Sequence, residues 1–179
     1  MWESDVALFQ HTLRTTPRSL RAHWALADIR WQQQGRDDDA LVLYRSAVRI
    51  SPEHGPSWGY IGMLLARRGD LAGAENALRR CVELRPDLPE PWLYLGVVLA
   101  RLEQYDESER ALRRALLLKP ELDQACEELG HMMFRSQRFA EAAEYYRYCV
   151  RHGRRDLQRF QMEAEARAAG RATGEPGSP

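Results

Sequence analysis

The sequence is poor in features that mark two familiar classes of protein, the disulfide-rich secreted domain and the membrane protein. It has three cysteines among 179 residues, Cys81, Cys126 and Cys149, which are too few and too scattered for a secreted disulfide framework. No stretch approaches about 18 uninterrupted apolar residues, and the first residues lack a basic segment followed by an apolar run. We therefore expect a soluble protein in a reducing, cytoplasmic compartment.

Net charge is also lacking. The chain has 26 basic and 26 acidic side chains, so the whole molecule generates no long-range field that would attract nucleic acid or an anionic membrane. All but one of the basic residues are arginines, the exception being Lys119. The arginines leave nucleic-acid binding by helical repeats as an alternative, which the neutral balance and the lack of a base-reading pattern oppose. We predict neither a nucleic-acid nor a membrane partner.

Side chains that perform chemistry do not cluster along the chain. The five histidines are dispersed, and no His-Glu-x-x-His motif, Cys-x-x-Cys motif or glycine-rich phosphate loop occurs. The nearest candidate pair is Cys149 and His152, where we interpret Cys149 as a small packing residue. The run Asp37-Asp38-Asp39 begins a predicted helix, where carboxylates interact favourably with the helix dipole. The sequence therefore predicts no enzyme, no metal site and no cofactor.

The chain is rich, by contrast, in a pattern that repeats about every 34 residues. Pro17, Pro52, Pro86 and Pro120 are 35, 34 and 34 residues apart, and each ends a helical stretch because proline cannot continue a helix interior. The other recurring residues are Trp24, Trp58 and Trp92, then Gly62, Gly96 and Gly130, then Ala47, Cys81, Ala115 and Cys149. A glycine inside a helix costs about 1 kcal/mol relative to alanine, so its recurrence indicates the close approach of a second helix.

This order of Trp, Leu-Gly, a small residue, an aromatic or Leu, Ala and Pro resembles the tetratricopeptide repeat. The resemblance implies an all-α fold, a right-handed α-solenoid of stacked antiparallel helix pairs. The predicted parts are a half repeat at 1–20 that has only a second helix, repeats at 21–54, 55–88, 89–122 and 123–156, a capping helix at 157–169 and a disordered tail at 170–179. The chain departs from the family pattern at Ala27-Asp28, where Leu-Gly is expected, and at Cys126 in the tryptophan column.

The resemblance also implies a concave groove, lined by the first helix of each pair, as the site of partner binding. The predicted lining residues are Ile29, Gln33, Met63, Arg67, Leu93, Val97, Arg101, His131, Phe134 and Arg135. Met63 and Val97 belong to an apolar strip that favours a covering partner. Arg67, Arg101 and Arg135 recur every 34 residues and could pair with carboxylates of a bound peptide. The same arginines have a second explanation, because a cation at the end of a helix stabilises the helix dipole.

The function that the sequence favours is a protein-interaction scaffold or adaptor whose groove binds a peptide or protein segment with acidic groups. The lysine and asparagine clamp that some members of the family use for chaperone C-termini is absent, because the chain has a single lysine, Lys119, and a single asparagine, Asn76. Two alternatives stay open. The chain could self-associate through the half repeat as a structural subunit or assembly factor, or it could be a fragment of a longer repeat array.

Overall fold

The computed structural model describes residues 2–33 and 36–172, and within them it contains ten α-helices and no strand. The helices are α1 Trp2–Thr15, α2 Leu20–Gln32, α3 Asp37–Ile50, α4 Gly55–Arg67, α5 Leu71–Leu84, α6 Pro89–Arg101, α7 Tyr105–Leu118, α8 Asp123–Arg135, α9 Phe139–Arg151 and α10 Gln158–Ala172, with a 3₁₀ turn at Arg155–Leu157 before the last. The chain divides into two compact units, unit 1 (Met1–Tyr94) and unit 2 (Leu95–Pro179). The all-α class of stacked helix pairs that the family resemblance implied is confirmed.

Local sequence signals set several helix starts and ends. Ser19 precedes α2, and its hydroxyl oxygen accepts a hydrogen bond from the amide of Ala22 at 3.3 Å. Asp70 precedes α5, and one carboxylate oxygen accepts from the amide of Gly73 at 3.0 Å. Each contact satisfies one of the amides that a helix start leaves without an intrahelical partner.

Close packing within three of the helix pairs depends on the recurring glycines. In unit 1, a Cβ atom on Gly62 would lie 2.5 Å from Cγ of Leu78. In unit 2, a Cβ atom on Gly96 would lie 2.6 Å from Cγ of Leu112, and one on Gly130 would lie 2.7 Å from the Tyr146 ring. These separations are far below van der Waals contact. The predicted close approach of the second helix at the glycine column is therefore confirmed.

The tryptophan column attaches the start of a helix pair to the proline before it. The indole N–H of Trp58 donates to the carbonyl of Pro52 at 2.8 Å, and that of Trp92 donates to Pro86 at 3.1 Å. Trp24 follows its proline by seven residues instead of six, and its buried indole nitrogen has no hydrogen-bond partner in the described part of the chain. The one extra residue between Pro17 and Trp24 explains why this indole does not reach its proline carbonyl as the other two do.

Unit 2 satisfies the corresponding proline carbonyl in a different way. Cys126 replaces the tryptophan there, and the carbonyl of Pro120 instead accepts a hydrogen bond from the hydroxyl of Tyr148 at 2.8 Å. Tyr148 lies on α9, whereas the tryptophans of unit 1 lie on first helices. The carbonyl of the repeat's proline thus accepts a side-chain hydrogen bond in both units. The donor lies on the first helix of a pair in unit 1 and on the second helix of a pair in unit 2.

The turns inside three helix pairs place a residue in the left-handed backbone region. Gly69 has φ +83°, which glycine adopts without steric cost. Glu103 and Gln137, which follow at 34-residue intervals, have φ 61° despite their side chains. Gly35, the first member of this column, lies outside the described residues.

The last helix, α10, covers part of the helix pair before it. Its Phe160 ring lies 5.4 Å from His131 and 5.8 Å from Tyr146, and its Arg167 guanidinium lies 4.9 Å from the Phe134 ring centroid. The helix runs to Ala172, three residues past the predicted end at 169, and the rest of the predicted tail lies outside the described residues. Of the described helices, none combines the length and apolar character needed to cross a lipid bilayer.

Candidate binding surfaces

In unit 1 the structure buries two of the residues predicted to line the groove. Ile29 is 6% exposed and Leu93 is 3% exposed. Neither side chain offers a surface to a partner, which corrects their assignment from the sequence. Their positions in the repeat predicted a lining role, but in this chain both side chains are packed into the apolar interior of unit 1.

The other predicted lining residues of unit 1 remain at the surface. Met63 and Gln33 are partly exposed and Arg67 is exposed. The Gln33 side-chain oxygen accepts a hydrogen bond from Arg30 at 3.1 Å. Arg67 forms an ion pair with Asp37 of α3 at 3.1 Å. A partner carboxylate would therefore compete with an intramolecular one at Arg67.

Met63 lines a cavity of about 470 Å³ on unit 1, and four of the other lining side chains are aromatic. We call it the aromatic groove and define it by Trp24, Trp31, Tyr60, Met63 and Tyr94. All five side chains are partly exposed. The sequence analysis missed four of them as surface residues, although Tyr60 and Tyr94 occupy the same place in successive repeats, 34 residues apart.

The rings of the aromatic groove are held by contacts with their neighbours. The centroids of Trp31 and Tyr60 are 5.2 Å apart, and Tyr60 stacks on the buried Tyr44 ring with centroids 4.9 Å apart and an interplanar angle of 6°. Such contacts restrict ring motion, so these rings would lose less conformational freedom when a partner binds. The aromatic part of the groove is therefore preorganised.

Two carboxylates lie close enough to influence this groove: Glu90, which lines the cavity, and Asp28, whose charge acts on Tyr60. Burial raises the pKa of Asp28 above its usual value, although a hydrogen bond from the Gln32 amide at 2.9 Å acts in the opposite direction. The pKa of Tyr60 is raised, first by its own burial and then by the charges of Asp28 and Glu90. The groove thus combines aromatic walls with a partly desolvated acid.

In unit 2 the predicted lining residues are divided between covered and exposed positions. His131 and Phe134 contact Phe160 and Arg167 of α10, so the chain itself covers part of both side chains. Val97 is partly exposed, and Arg101 and Arg135 are exposed. Arg135 lines a cavity of about 370 Å³.

The cysteines differ from the sequence-based interpretation. Cys126 of α8 and Cys149 of α9 form a disulfide, with Cα atoms 6.2 Å apart, so the interpretation of Cys149 as a simple packing residue is wrong. His152 stacks on Tyr148, with centroids 4.2 Å apart. Cys81 of unit 1 is a buried free thiol, and burial raises its pKa to about 11. A raised pKa suppresses the reactive thiolate.

The three aspartates at the start of α3 are used in ion pairs. Asp37 pairs with Arg67 at 3.1 Å and Asp38 pairs with Arg68 at 2.8 Å. Asp39 pairs with Arg36 at 2.7 Å. A search of the described residues finds no group of three or more His, Cys, Asp or Glu side chains that could hold a metal ion.

The fold and these surfaces define a class of protein, the all-α repeat scaffold. Two tetratricopeptide-repeat family models match residues 6–54 and 65–129, which together exceed half of the chain. The chain belongs to the tetratricopeptide-repeat family, as its 34-residue spacing predicted. Proteins of this fold are typically non-catalytic, and the general function that the repeats support is protein–protein interaction.

Solved structures of this fold match most of the chain. The crystal structure of MamA is 16% identical, with a TM-score of 0.78 over 88% of this chain and 91% of that chain. The crystal structure of YrrB, described as a TPR protein with an unusual peptide-binding site, is also 16% identical, with a TM-score of 0.79 over 91% of this chain and 84% of that chain. At such identities the likeness shows the fold alone.

A curated relative shares a shorter stretch. Protein O-mannosyl-transferase TMTC1 of Homo sapiens is 30% identical over 64 residues, which is 36% of this chain and 7% of that protein. The alignment therefore spans only a small fraction of that protein.

Proposed function

We propose that the chain binds a segment of a partner protein along the aromatic groove of unit 1. The observation that carries the proposal is that partly exposed Trp31, Tyr60 and Tyr94 line one cavity with Met63. Aromatic residues and methionine are enriched at protein interfaces, and a few such side chains commonly supply most of the binding energy. The peptide-binding site named for YrrB, a protein of the same fold, is consistent with this proposal.

The charge of the partner forms a second part of the proposal. We infer that partner carboxylates pair with Arg67 on unit 1 and, separately, with Arg101 and Arg135 on unit 2, three arginines that recur at 34-residue intervals. Arg67 already has an ion pair with Asp37, so a partner would exchange one carboxylate for another there. Replacing all three arginines by alanine should weaken binding and reduce its dependence on salt. Unchanged affinity and salt dependence would remove the acidic element of the proposal.

The groove itself is tested with a peptide ligand obtained by display selection against the whole chain. The affinity of the selected peptide is measured by fluorescence polarisation for the wild type and for Met63→Glu. A charge placed among the groove rings should raise Kd by about tenfold or more, because the apolar contact is lost and a carboxylate must be desolvated.

The matched control is Leu117→Glu, which places the same charge on a leucine of unit 2 that is 72% exposed. The helical circular dichroism signal of both variants should equal that of the wild type. Equal affinity of the peptide for wild type and Met63→Glu would refute binding in the aromatic groove.

The proposal also includes an adaptor role, self-association through α1 and a cytoplasmic location, where the Cys126–Cys149 pair would be kept reduced. Light scattering over a wide range of concentration tests the self-association. A mass that stays at that of one chain at the highest concentration would exclude self-association.

A further inference from the structure

Unit 1 has a second cavity, and its position and lining differ from those of the aromatic groove. It has a volume of about 480 Å³ and lies among α3, α4 and α5. The lining residues are Arg45, Val48, Arg49, Trp58, Ile61, Leu65, Gly73, Asn76, Ala77 and Arg80. We call this cavity the basic groove, because its three charged residues are all arginines.

The arginines of the basic groove are incompletely neutralised. Arg45 and Arg49 lie one helical turn apart on α3, and both are exposed. Neither has an ion pair within the described residues, and the groove lining includes no carboxylate. The third arginine, Arg80, pairs with Glu83 at 3.2 Å and more distantly with Glu53 at 3.8 Å. The groove therefore retains positive charge.

Other arginines of unit 1 do form ion pairs, so the lack of a carboxylate partner at Arg45 and Arg49 is not common to all of them. Arg36, Arg67 and Arg68 each form an ion pair with an aspartate of α3. Arg85 pairs with Asp87 at 2.8 Å. Carboxylates are thus available throughout unit 1, yet none lies in the basic groove.

The base of the basic groove is apolar. Val48 and Ile61 are buried and contribute hydrocarbon surface, and Trp58 is partly exposed. The only polar atom of the Trp58 ring already donates to the Pro52 carbonyl. The exposed part of that ring therefore favours an apolar or aromatic contact.

A cavity on unit 2 provides an internal comparison. It lies between α7 and α9, has a volume of about 540 Å³ and contains both Glu141 and Glu144 beside Arg113. Arg113 is already bonded, at 2.7 Å to Glu109 and at 3.1 Å to the Tyr145 hydroxyl. The unpaired positive charge is therefore a property of the basic groove and not of every cavity beside the second helices.

We propose that the basic groove binds an acidic segment of a partner protein, with carboxylates on Arg45 and Arg49 and an apolar side chain on the Trp58 ring. Guanidinium groups bind carboxylates through two parallel hydrogen bonds, and the apolar base selects a segment that alternates acidic and apolar residues. This surface involves none of the residues that define the aromatic groove, so the two proposals can fail independently.

The probe is a fluorescein-labelled peptide of about twelve residues with alternating pairs of Glu and Leu, compared with the same peptide carrying Gln for Glu. Binding is measured by fluorescence polarisation. We expect the Glu peptide to bind and the Gln peptide to bind about tenfold more weakly, and we expect added salt to weaken only the former.

The variant is Arg45→Glu with Arg49→Glu, and the matched control is Arg110→Glu with Arg114→Glu, an exposed pair at the same spacing on α7 of unit 2. Both double variants change the net charge equally, so a general electrostatic effect would appear in both. We expect Kd to rise about tenfold or more in the first and to change less than about twofold in the control.

The Met63→Glu variant separates this proposal from the proposed function, because it changes only the aromatic groove and should leave affinity for the Glu peptide unchanged. Equal losses in the two double variants, equal binding of the Glu and Gln peptides, or loss of binding only in Met63→Glu would each overturn the proposal. Binding of a single-stranded oligonucleotide in place of the Glu peptide would also overturn it.

Discussion

The two units treat the same place in the repeat differently. In unit 1, Met63 lies at the ninth place of its repeat and lines a groove together with exposed aromatic rings. In unit 2, His131 lies at the ninth place and contacts Phe160 of α10. The comparison teaches that a place in the repeat does not by itself make a binding surface. Contacts with neighbouring side chains decide whether that place is open or covered, since Ile29 is buried at the ninth place in unit 1 and Val97 is partly exposed there in unit 2.

The largest expected difference between the units is in how their stability responds to reductant. Unit 2 contains the disulfide, whereas unit 1 has a free thiol. Reduction of the Cys126–Cys149 bond, which spans a sequence separation of 23 residues, should lower the unfolding free energy of unit 2 by about 3 kcal/mol. Hydrogen exchange of peptides from α8 and α9 measures the loss.

All five tryptophans lie in unit 1, so denaturation followed by tryptophan fluorescence reports on that unit separately and should not change on reduction. Cys81→Ala should respond to reductant as the wild type does, whereas Cys126→Ala should not respond. Identical exchange of α8 and α9 with and without reductant would contradict a stabilising disulfide.

The contacts of α10 with the helix pair before it can be weakened with Phe160→Ala. Loss of the ring contacts with His131 and Tyr146 should destabilise unit 2 by about 2 kcal/mol, less than for a fully buried phenylalanine because Phe160 is partly exposed. Met162→Ala is the control on the same helix, since Met162 is 62% exposed, and should change stability by less than about 0.5 kcal/mol. Chemical denaturation measures both, and equal effects would mean that α10 does not pack through Phe160.

A smaller difference in stability is expected from the residue that adopts positive φ in the turns, which is Gly69 in unit 1 and Glu103 in unit 2. Glu103→Gly should stabilise unit 2 by up to about 1 kcal/mol, because Glu103 has φ 61° and glycine removes the steric cost of that conformation. Gly69→Ala should destabilise unit 1 by a similar amount, since Gly69 has φ +83° and open space around it. Thermal unfolding measures both changes, and a destabilising Glu103→Gly would show that the glutamate side chain contributes more than its backbone costs.

The smallest expected effect concerns pH. Because burial raises the pKa of Asp28 above 3.8, the folded chain retains its proton at pH values where the unfolded chain has lost it. Stability of unit 1 therefore falls as pH rises from about 3.8 to the raised pKa and is constant with respect to this group above it. Asp28→Asn should remove that fall, as measured by urea denaturation with tryptophan fluorescence. A pH dependence unchanged by the substitution would exclude Asp28 as its source, and Glu128, whose pKa is also raised mainly by burial, offers the same test in unit 2.

The helical framework could be predicted because each repeating residue has a local physical reason. Proline ends helices, and glycine at position 62 admits the side chain of Leu78. The division into repeats at 21–54, 55–88, 89–122 and 123–156 stays a prediction at the level of individual boundaries. It was the fixed spacing, and not the composition, that made the family recognisable.

The candidate surfaces were harder to predict, because exposure depends on contacts between elements distant in sequence. The positions of Ile29 and Leu93 in the repeat predicted that both would line the groove, but the surrounding side chains bury both. The disulfide left one signal that was not used: Cys126 and Cys149 occupy opposite ends of one predicted helix pair, and antiparallel packing brings those ends together.

The indole hydrogen bonds of unit 1 bear on how its order is lost. Since Trp58 is bonded to Pro52 and Trp92 to Pro86, each hairpin is attached to the residue that terminates its predecessor. Neighbour coupling of this kind makes unfolding cooperative along a repeat array. Fraying of one helix pair would free the indole N–H of the tryptophan in the next pair. The red shift of that tryptophan's fluorescence would then coincide with the loss of helical structure.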